Sequence, residues 1–460
     1  MVACLFLATL WILLRISAFS FSDLIEFSDS PSYLAKAQQP LWTRDFFFGS
    51  GRFFVVPLIY KFATAAHGTA TSSLAQAQVL VSLGAWIAFG WSLASRVRAQ
   101  WMRVAAMTAA LAFGASTDVI QWDSVILSES ISTSLFVVLV ALWIRLGDRM
   151  TYARVAGVVL CALLWSFSRE ANSLLVLPLA AAIALWALWY ADNRHDRMCS
   201  ALVAAGLVGS FLVTAAVSGS GDRWVFPLLN VIGTRVLPSP VRSAWYQQHG
   251  MPMNERLRAM SGEYGGGQDW AFYSAPELAG FRSWLNAHGK RVFLKDLATH
   301  PARTLVEPLA DAGEFVCPLL LQYRQYQNAR VSTIYFDVEG LPLCRPHPTF
   351  PETLAFRTLL AGSGAVGLTL LILAFSWRRR LTASDAFQQL TVSAMLIGWL
   401  PFTWFTWQVI GGMEISRHVW SGVLMCRMGV FLLCVFLVQT SRPALASLQR
   451  PPSARQTPTR

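Results

Sequence analysis

Charged residues are scarce in this sequence. Only 13% of its 460 residues are Asp, Glu, Lys or Arg, whereas 55% are hydrophobic. Soluble domains carry about 25% charged residues, so a water-soluble protein of this length would have too few charges to cover its surface. Lipid must replace water around much of the chain, and the composition therefore excludes an ordinary soluble globular protein.

Metal-binding cysteine motifs are also missing. The seven Cys residues include no Cys-x-x-Cys pair and no Cys/His spacing typical of a zinc site. Cys317 and Cys344 alone fall in the long segment 220–352. They can form a disulfide if that segment lies in an oxidising compartment, and two free buried thiols are the alternative.

Long apolar segments, by contrast, recur along the chain, and about 20 largely apolar residues suffice for a membrane span. Residues 52–66 are also apolar, but Arg52, Pro57 and Lys61 interrupt them, which favours an interfacial or re-entrant helix. Ten segments are predicted to span the membrane: 2–21, 74–95, 102–117, 124–144, 153–168, 171–190, 199–219, 354–376, 388–411 and 419–440. The predicted fold is an all-α integral membrane protein with about ten transmembrane helices and a mainly helical extracytoplasmic loop domain.

The orientation follows from the placement of the basic residues, which give the chain a formal charge of +12. Arg is concentrated in the short loops 96–103, 145–154, 192–198 and 378–387 and in the tail after residue 440. The positive-inside rule places these segments and both termini in the cytoplasm. The large loop 220–352 then lies on the outer side of the membrane, and nucleic acid is not a predicted partner.

This orientation divides the chain into four parts. Residues 1–219 form an N-terminal transmembrane module of seven spans, whose first outer loop, 22–73, is the predicted catalytic loop. Residues 220–352 form the extracytoplasmic loop domain, and residues 353–440 form a C-terminal module of three spans. The Pro-, Ser- and Arg-rich tail 441–460 is predicted to be disordered.

Ionisable residues cluster near the outer ends of these spans. Placing a charged side chain in the membrane costs free energy, so such residues commonly have a functional role. Asp29 precedes Ser30-Pro31, a typical helix start, so it is either a functional carboxylate or a cap. Glu129 lies one to two turns inside the fourth span, as a functional group or a partner for another helix. Asp118 and Asp123 precede it.

Arginines occur on the same outer side. Arg169 lies in the turn between the fifth and sixth spans, and Arg417-His418 lies outside the last two spans. Each arginine can clamp a phosphate, although Arg169 can equally reach lipid head groups. Arg15 and Arg427 fall inside spans and require polar partners. Carboxylates can act as general bases on a hydroxyl, and arginines can stabilise a phosphate leaving group, so the pattern favours transfer of a group from a lipid-linked phosphate.

The order of these motifs resembles the GT-C superfamily of polytopic glycosyltransferases, specifically the bacterial enzymes that use polyprenyl-phosphate-linked sugars. The resemblance covers roughly residues 1–190, and Glu170 stands where such enzymes frequently have Pro. The matching pieces are Asp29-Ser-Pro-Ser-Tyr33-Leu34, Gly51-Arg52 with Pro57-Leu58, Leu127-Ser128-Glu129, and Ser168-Arg169-Glu170-Ala171-Asn172.

The resemblance implies a membrane glycosyltransferase that transfers a sugar from a polyprenyl-phosphate donor to a glycan, lipid or protein acceptor by an inverting displacement. By analogy with the bacterial relatives, the predicted location is a bacterial inner membrane with the large loop in the periplasm. Asp29 is the implied catalytic base. A divalent metal is a possible cofactor, with Asp29, Asp118 and Asp123 as possible ligands. The residues expected to bind substrate are Tyr33, Glu129, Arg169, Arg417 and His418.

Two other functions remain open from the sequence. An O-antigen-type polymerase or ligase would rely on paired Arg and His, which His300 with Arg303 and Arg417 with His418 provide. A lipid or solute transporter would show interrupted helices and repeated halves, and neither is evident. The large-loop aromatics that can either stack on sugars or form a core are Trp224, Trp245, Tyr246, Trp270, Tyr273 and Trp284.

Overall fold

The structure is a computed structural model that describes residues 2–18, 26–27, 29–49, 52–67, 71–97, 99–220, 222–311, 352–377, 379–411 and 415–440. Every regular element in these ranges is helical, which confirms the all-α class. Cys317 and Cys344, for which the sequence leaves a disulfide and two free thiols open, and the tail 441–460 lie outside the described residues.

The transmembrane part contains two groups of helices. The N-terminal group consists of α1 Val2–Ala18, α2 Ser30–Gln38, α3 Arg44–Phe48, α4 Val55–His67, α5 Thr71–Arg96, α6 Gln100–Gly114, α7 Thr117–Ile120, α8 Glu129–Asp148, α9 Tyr152–Ser166, α10 Asn172–Trp189 and α11 Arg194–Ser220. The C-terminal group consists of α19 Glu352–Ser376, α20 Ala383–Ile410 and α21 Ile415–Thr440, numbered after the loop-domain helices.

Six described helices are long and apolar enough to cross a membrane: Ser72–Arg96, Glu129–Asp148, Asn172–Trp189, Arg194–Gly219, Ala383–Ile410 and Arg417–Val438. The chain is therefore built as an integral membrane protein. The segments predicted as the other four spans form helices whose apolar parts are shorter. A helix such as α9, with 15 residues, is about 22 Å long, against a hydrocarbon core of about 30 Å, so the count of ten spans stays a prediction.

The segment predicted to be interfacial forms α4, a helix of 13 residues, which is shorter than a bilayer requires. It packs against α2. The Lys61 ammonium on α4 donates hydrogen bonds of 2.9 Å to the carbonyls of Ala37 and Gln39 at the end of α2. Because these carbonyls have no partner within the helix, the lysine fixes the end of α2 to α4.

The helix-packed core brings the two transmembrane groups together. Indole nitrogens from this core donate hydrogen bonds between the two groups, among them Trp143 on α8 to Thr391 on α20 at 2.8 Å and Trp420 on α21 to Thr133 on α8 at 2.9 Å. The second contact fixes the start of α21 beside the start of α8.

A buried ion pair joins α1 to the segment before α8. Arg15 pairs with Asp123, and both side chains are 2% exposed. The Arg15 guanidinium also donates to the Gly114 carbonyl at 2.8 Å, and the Ser130 hydroxyl donates to the Asp123 carboxylate at 2.5 Å. Arg15 thus has the polar partner that its position in an apolar helix requires.

The loop domain has its own apolar core, which includes the fully buried Tyr246 and Phe272. Asp296 is buried there and pairs with Arg242 at 3.0 Å, with Arg303, and with His300 at 3.2 Å. Its helices are α12 Val225–Val231, α13 Pro240–Gln248, α14 Glu255–Arg258, α15 Gly267–Ser274, α16 Ala279–Trp284, α17 Lys290–Thr299 and α18 Pro301–Val306, with π-helical turns at Ile232–Val236 and Leu285–Gly289.

Candidate active site

The site begins with the tight turn that places Asp29 in front of α2. The Phe27 amide donates to the Ser30 hydroxyl at 2.7 Å, and that hydroxyl donates to the Ile126 carbonyl at 2.7 Å. The turn is therefore attached to the segment that leads into α8. The Asp29 side chain makes no capping hydrogen bond to α2, so the capping interpretation is wrong and its carboxylate is free to face the other elements.

Both oxygens of the Asp29 carboxylate bind arginines. Oδ1 lies 2.5 Å from Nη2 of Arg52, and Oδ2 lies 2.8 Å from Nη2 of Arg417. The Asp29 side chain is 32% exposed and that of Arg52 is 29% exposed, whereas that of Arg417 is 3% exposed. Asp29 and Arg52 thus form the open side of the cluster, and Arg417 forms its floor.

A second carboxylate lies below this floor. Glu129 is fully buried, and its Oε1 accepts a 2.6 Å hydrogen bond from Nε of Arg417 and lies 3.4 Å from Nη2 of Arg169. Nη1 of Arg169 donates to the Arg417 carbonyl at 3.2 Å. Arg417 therefore bridges Asp29 and Glu129. These five side chains, Asp29, Arg52, Glu129, Arg169 and Arg417, are called the arginine cluster below.

Tyr33 and His418 lie beside the arginine cluster. The Arg52 guanidinium is 4.7 Å from the centre of the buried Tyr33 ring, within the range of a cation–π contact. Nε of Arg52 also donates to the Ser32 hydroxyl at 2.8 Å. His418 follows Arg417 on α21 and is close enough to Asp29 to interact with it electrostatically.

Burial alone would raise the pKa of Asp29, but the guanidiniums of Arg52 and Arg417 outweigh burial and hold that pKa below its ordinary value. Asp29 is therefore ionised throughout the physiological pH range. A carboxylate paired in this way is a weak base, so its proton affinity must rise before it can take a proton from a hydroxyl.

A further arginine closes the rim of the site. Arg223, just before α12, pairs with Glu170 at 2.5 Å and donates to the Gly49 carbonyl at 3.0 Å. Its guanidinium lies 4.1 Å from the centre of the Phe53 ring. Arg223 thus connects the start of the loop domain to the first outer loop and to the turn that carries Arg169.

The backbone before Glu129 is held from α4 and α5. The Tyr60 hydroxyl lies 2.8 Å from the Leu127 carbonyl oxygen and 2.6 Å from Oε1 of Gln78. The Gln78 amide nitrogen donates to the carbonyls of Asp123 and Val125, at 3.0 Å each. These contacts satisfy carbonyls that no helix pairs, and they fix where α8 begins.

The predicted metal ligands are not assembled in this way. The Asp123 carboxylate binds Arg15 and Ser130, and the Asp118 side chain lies outside the described residues. Within the described part of the chain, no group of three or more His, Cys, Asp or Glu side chains is placed to hold a metal ion. The described residues therefore do not fit a metal site.

Sequence reasoning identified Asp29, Tyr33, Glu129, Arg169, Arg417 and His418 as site residues, and the structure brings all six together. It assigned no site role to Arg52 or Arg223. Arg52 belongs to the Gly51-Arg52 piece of the resemblance and interrupts an apolar segment, where a basic residue usually has a polar partner. Arg223 lacks a local signal, because both of its partners are distant in sequence.

Comparison with known proteins adds little. No protein-family model matches the chain. No curated protein matches it either. Among solved structures, it is similar to the archaeal oligosaccharyltransferase AglB from Archaeoglobus fulgidus, determined in complex with an inhibitory peptide and a dolichol-phosphate, with 14% sequence identity and a TM-score of 0.41. The match covers 99% of this chain and 52% of that chain, so the present chain spans about half of AglB's length.

Proposed function

We propose that this chain is a membrane glycosyltransferase that moves a sugar from a polyprenyl-phosphate donor to an extracytoplasmic glycan, lipid or protein acceptor. The observation that carries the proposal is the arginine cluster, in which a partly exposed carboxylate, Asp29, lies against the guanidiniums of Arg52 and Arg417. The proposed orientation places this side in the periplasm of a bacterial inner membrane, with both termini in the cytoplasm.

The charge of the arginine cluster suits a phosphate group. Its three guanidiniums exceed its two carboxylates by one positive charge. A sugar linked through a polyprenyl phosphate carries one negative charge, so its arrival neutralises the cluster. As the sugar leaves, a second negative charge develops on the phosphate, and the guanidiniums already bound to the phosphate stabilise that charge.

Binding of the phosphate can also make the weakly basic Asp29 carboxylate a stronger base. Arg52 is the most exposed guanidinium of the cluster, so it is the one that can turn from Asp29 to the phosphate at least cost. Loss of that pair, together with the negative charge of the phosphate, raises the proton affinity of Asp29. The base then becomes effective only when the donor is bound.

The reaction that follows is a single displacement. Asp29 removes the proton from the acceptor hydroxyl, and the hydroxyl oxygen forms a bond to the anomeric carbon of the donor sugar. The bond between that carbon and the phosphate oxygen breaks, and its electron pair stays on the polyprenyl phosphate. The configuration at the anomeric carbon inverts because attack and departure occur on opposite faces.

Glu129 acts in this scheme as a positioning residue. It is fully buried and binds both Arg417 and Arg169, so it fixes the guanidiniums that the phosphate meets. Arg417 in turn fixes Asp29 from below. The buried pair therefore determines the distance between the base and the phosphate-binding groups.

The polymerase alternative receives less support. This alternative rests on two pairs of Arg and His residues. In one pair, Arg303 and His300 both bind the buried Asp296 in the loop domain. That arrangement gives the pair a role in folding. The other pair, Arg417 with His418, belongs to the site already described.

The test uses membranes that contain the full chain and a radiolabelled polyprenyl-phosphate sugar. We expect transfer by the parent chain and loss of nearly all transfer in Asp29→Asn, because the amide cannot accept the proton. Glu26→Gln is the matched control, since Glu26 is an exposed carboxylate in the same outer loop. Transfer at the parental rate in Asp29→Asn, at equal expression, would contradict the proposal.

A further inference from the structure

The loop domain exposes a cluster of aromatic side chains on one surface. Phe226, Tyr264, Trp270 and Tyr273 are 37%, 42%, 55% and 39% exposed. The ring centres of Phe226 and Trp270 are 5.7 Å apart, and those of Trp270 and Tyr273 are also 5.7 Å apart. These four residues are called the aromatic platform below. The other large-loop aromatics behave differently, since Tyr246 and Trp284 are buried in the domain core.

Two consecutive glycines, Gly265 and Gly266, lie against the aromatic platform. A Cβ atom on Gly265 would lie 3.0 Å from the Phe226 ring, and one on Gly266 would lie 3.0 Å from the Tyr264 ring. Gly265 also donates its amide to the Asn230 side chain at 2.7 Å. Side chains at these positions would push the rings apart, so the glycines allow the backbone to carry closely spaced rings.

The backbone that presents Trp270 is strained. Gln268, Asp269 and Trp270 have φ angles of 47°, 55° and 63°, which is the left-handed region. Non-glycine residues adopt this conformation at a cost in free energy. Strain of this kind is concentrated at ligand-binding sites, where the surrounding structure maintains it. Here it holds a mostly exposed indole outward.

Polar groups border the aromatic platform. The Gln268 amide donates to the Glu263 carboxylate at 3.1 Å and accepts from Arg256 at 2.9 Å. Rings that cover the apolar faces of a ligand, beside groups that bind hydroxyls, suit a carbohydrate. The carboxylates of Glu263 and Asp269 are unfavourable in hydrocarbon, so the surface is poorly suited to insertion into lipid.

The aromatic platform begins at the rim of the arginine cluster. Phe226 follows three residues after Arg223, which binds Glu170 and the Gly49 carbonyl. We infer that the aromatic platform binds the glycan that accepts the sugar, with Trp270 as its central stacking residue. The inference rests on the proposed function in identifying this glycan as the acceptor, but glycan binding itself can be measured without any donor.

The experiment measures binding of the full chain in lipid nanodiscs to immobilised neutral linear glucan, mannan, galactan and arabinan oligosaccharides, in the absence of donor. We expect the parent to bind at least one of these series. Trp270→Ala should weaken that binding by about tenfold or more, and Trp270→Phe should retain most of it because a ring remains. Trp101→Ala, which removes a tryptophan 65% exposed on α6, should bind like the parent.

Three results would overturn the inference: no binding by the parent, equal binding by the parent and Trp270→Ala, or evidence that Trp270 lies in lipid. The last is tested with brominated lipids, which quench nearby tryptophans. If the quenched fraction of the fluorescence is lower in Trp270→Phe than in the parent, the aromatic platform is a lipid contact. A chain that binds glycan through Trp270 but shows no transfer would instead refute the proposed function. The conclusion that the aromatic platform binds a glycan would then still hold.

Discussion

The buried pair between Glu129 and Arg417 allows the sharpest test of how the site is held together. Removing one member of a buried ion pair costs about 3–5 kcal/mol, because an uncompensated buried charge remains. Each member here has a second partner, Arg169 for Glu129 and Asp29 for Arg417. We therefore expect Glu129→Gln and Arg417→Met each to lower the free energy of unfolding by about 3 kcal/mol, at the low end of that range.

The double variant should lose clearly less stability than the sum of the two single losses, because the contact between Glu129 and Arg417 is lost only once and neither of these two charges remains without the other. The free energies are measured by unfolding the purified chain in mixed micelles with increasing SDS. Asp148→Asn is the control, since Asp148 pairs with Arg96 but its side chain is 35% exposed, and exposed pairs contribute about 1 kcal/mol or less. Single losses that add within about 0.5 kcal/mol would refute the pairing.

Two further predictions concern the base and its support. Arg52→Ala removes a positive charge that lowers the pKa of Asp29, so the acid limb of the profile of kcat/KM against pH should move to higher pH. Arg52→Lys keeps the charge and should leave this limb nearly in place. An unchanged limb in Arg52→Ala would mean that Arg52 acts only in packing. Tyr60→Phe leaves the buried Leu127 carbonyl without its hydroxyl partner, which should lower the free energy of unfolding by about 1–3 kcal/mol. We also expect a lower kcat at nearly unchanged KM, because Glu129 is displaced. A wild-type kcat in a stable Tyr60→Phe chain would contradict the role of this tyrosine.

The sequence was sufficient to predict the helical class. Long apolar segments such as 74–95 and 388–411 must form helices in lipid, because only a helix pairs all the backbone N–H and C=O groups within the segment. It was weaker for short segments. Residues 102–117 were predicted as a span, but α6 covers Gln100–Gly114, and apolar composition alone does not reveal where a helix ends. Helix ends depend on backbone partners in other elements, as the Tyr60 contact before α8 shows.

The site shows the same division between local and distant information. Charge placement predicted that Asp29, Glu129 and Arg417 face one side of the membrane, because the positive-inside pattern orients every loop. It did not predict that Arg417 would bridge the two carboxylates, since 288 residues separate it from Glu129. The Arg15–Asp123 pair was equally inaccessible: the need for a partner followed from the apolar surroundings of Arg15, but the partner's identity required the packed structure.

In the proposed reaction, Asp29 removes a proton from the acceptor hydroxyl, and the arginines around Asp29 bind the donor phosphate. The most direct measurement is the affinity of the Asp29→Asn chain for a radiolabelled polyprenyl-phosphate sugar, determined beside its rate of transfer. We expect the donor to bind at least as tightly as to the parent, because the amide no longer competes for Arg52 and Arg417, while transfer is lost. Weakened donor binding together with a parental rate of transfer from the bound donor would contradict it.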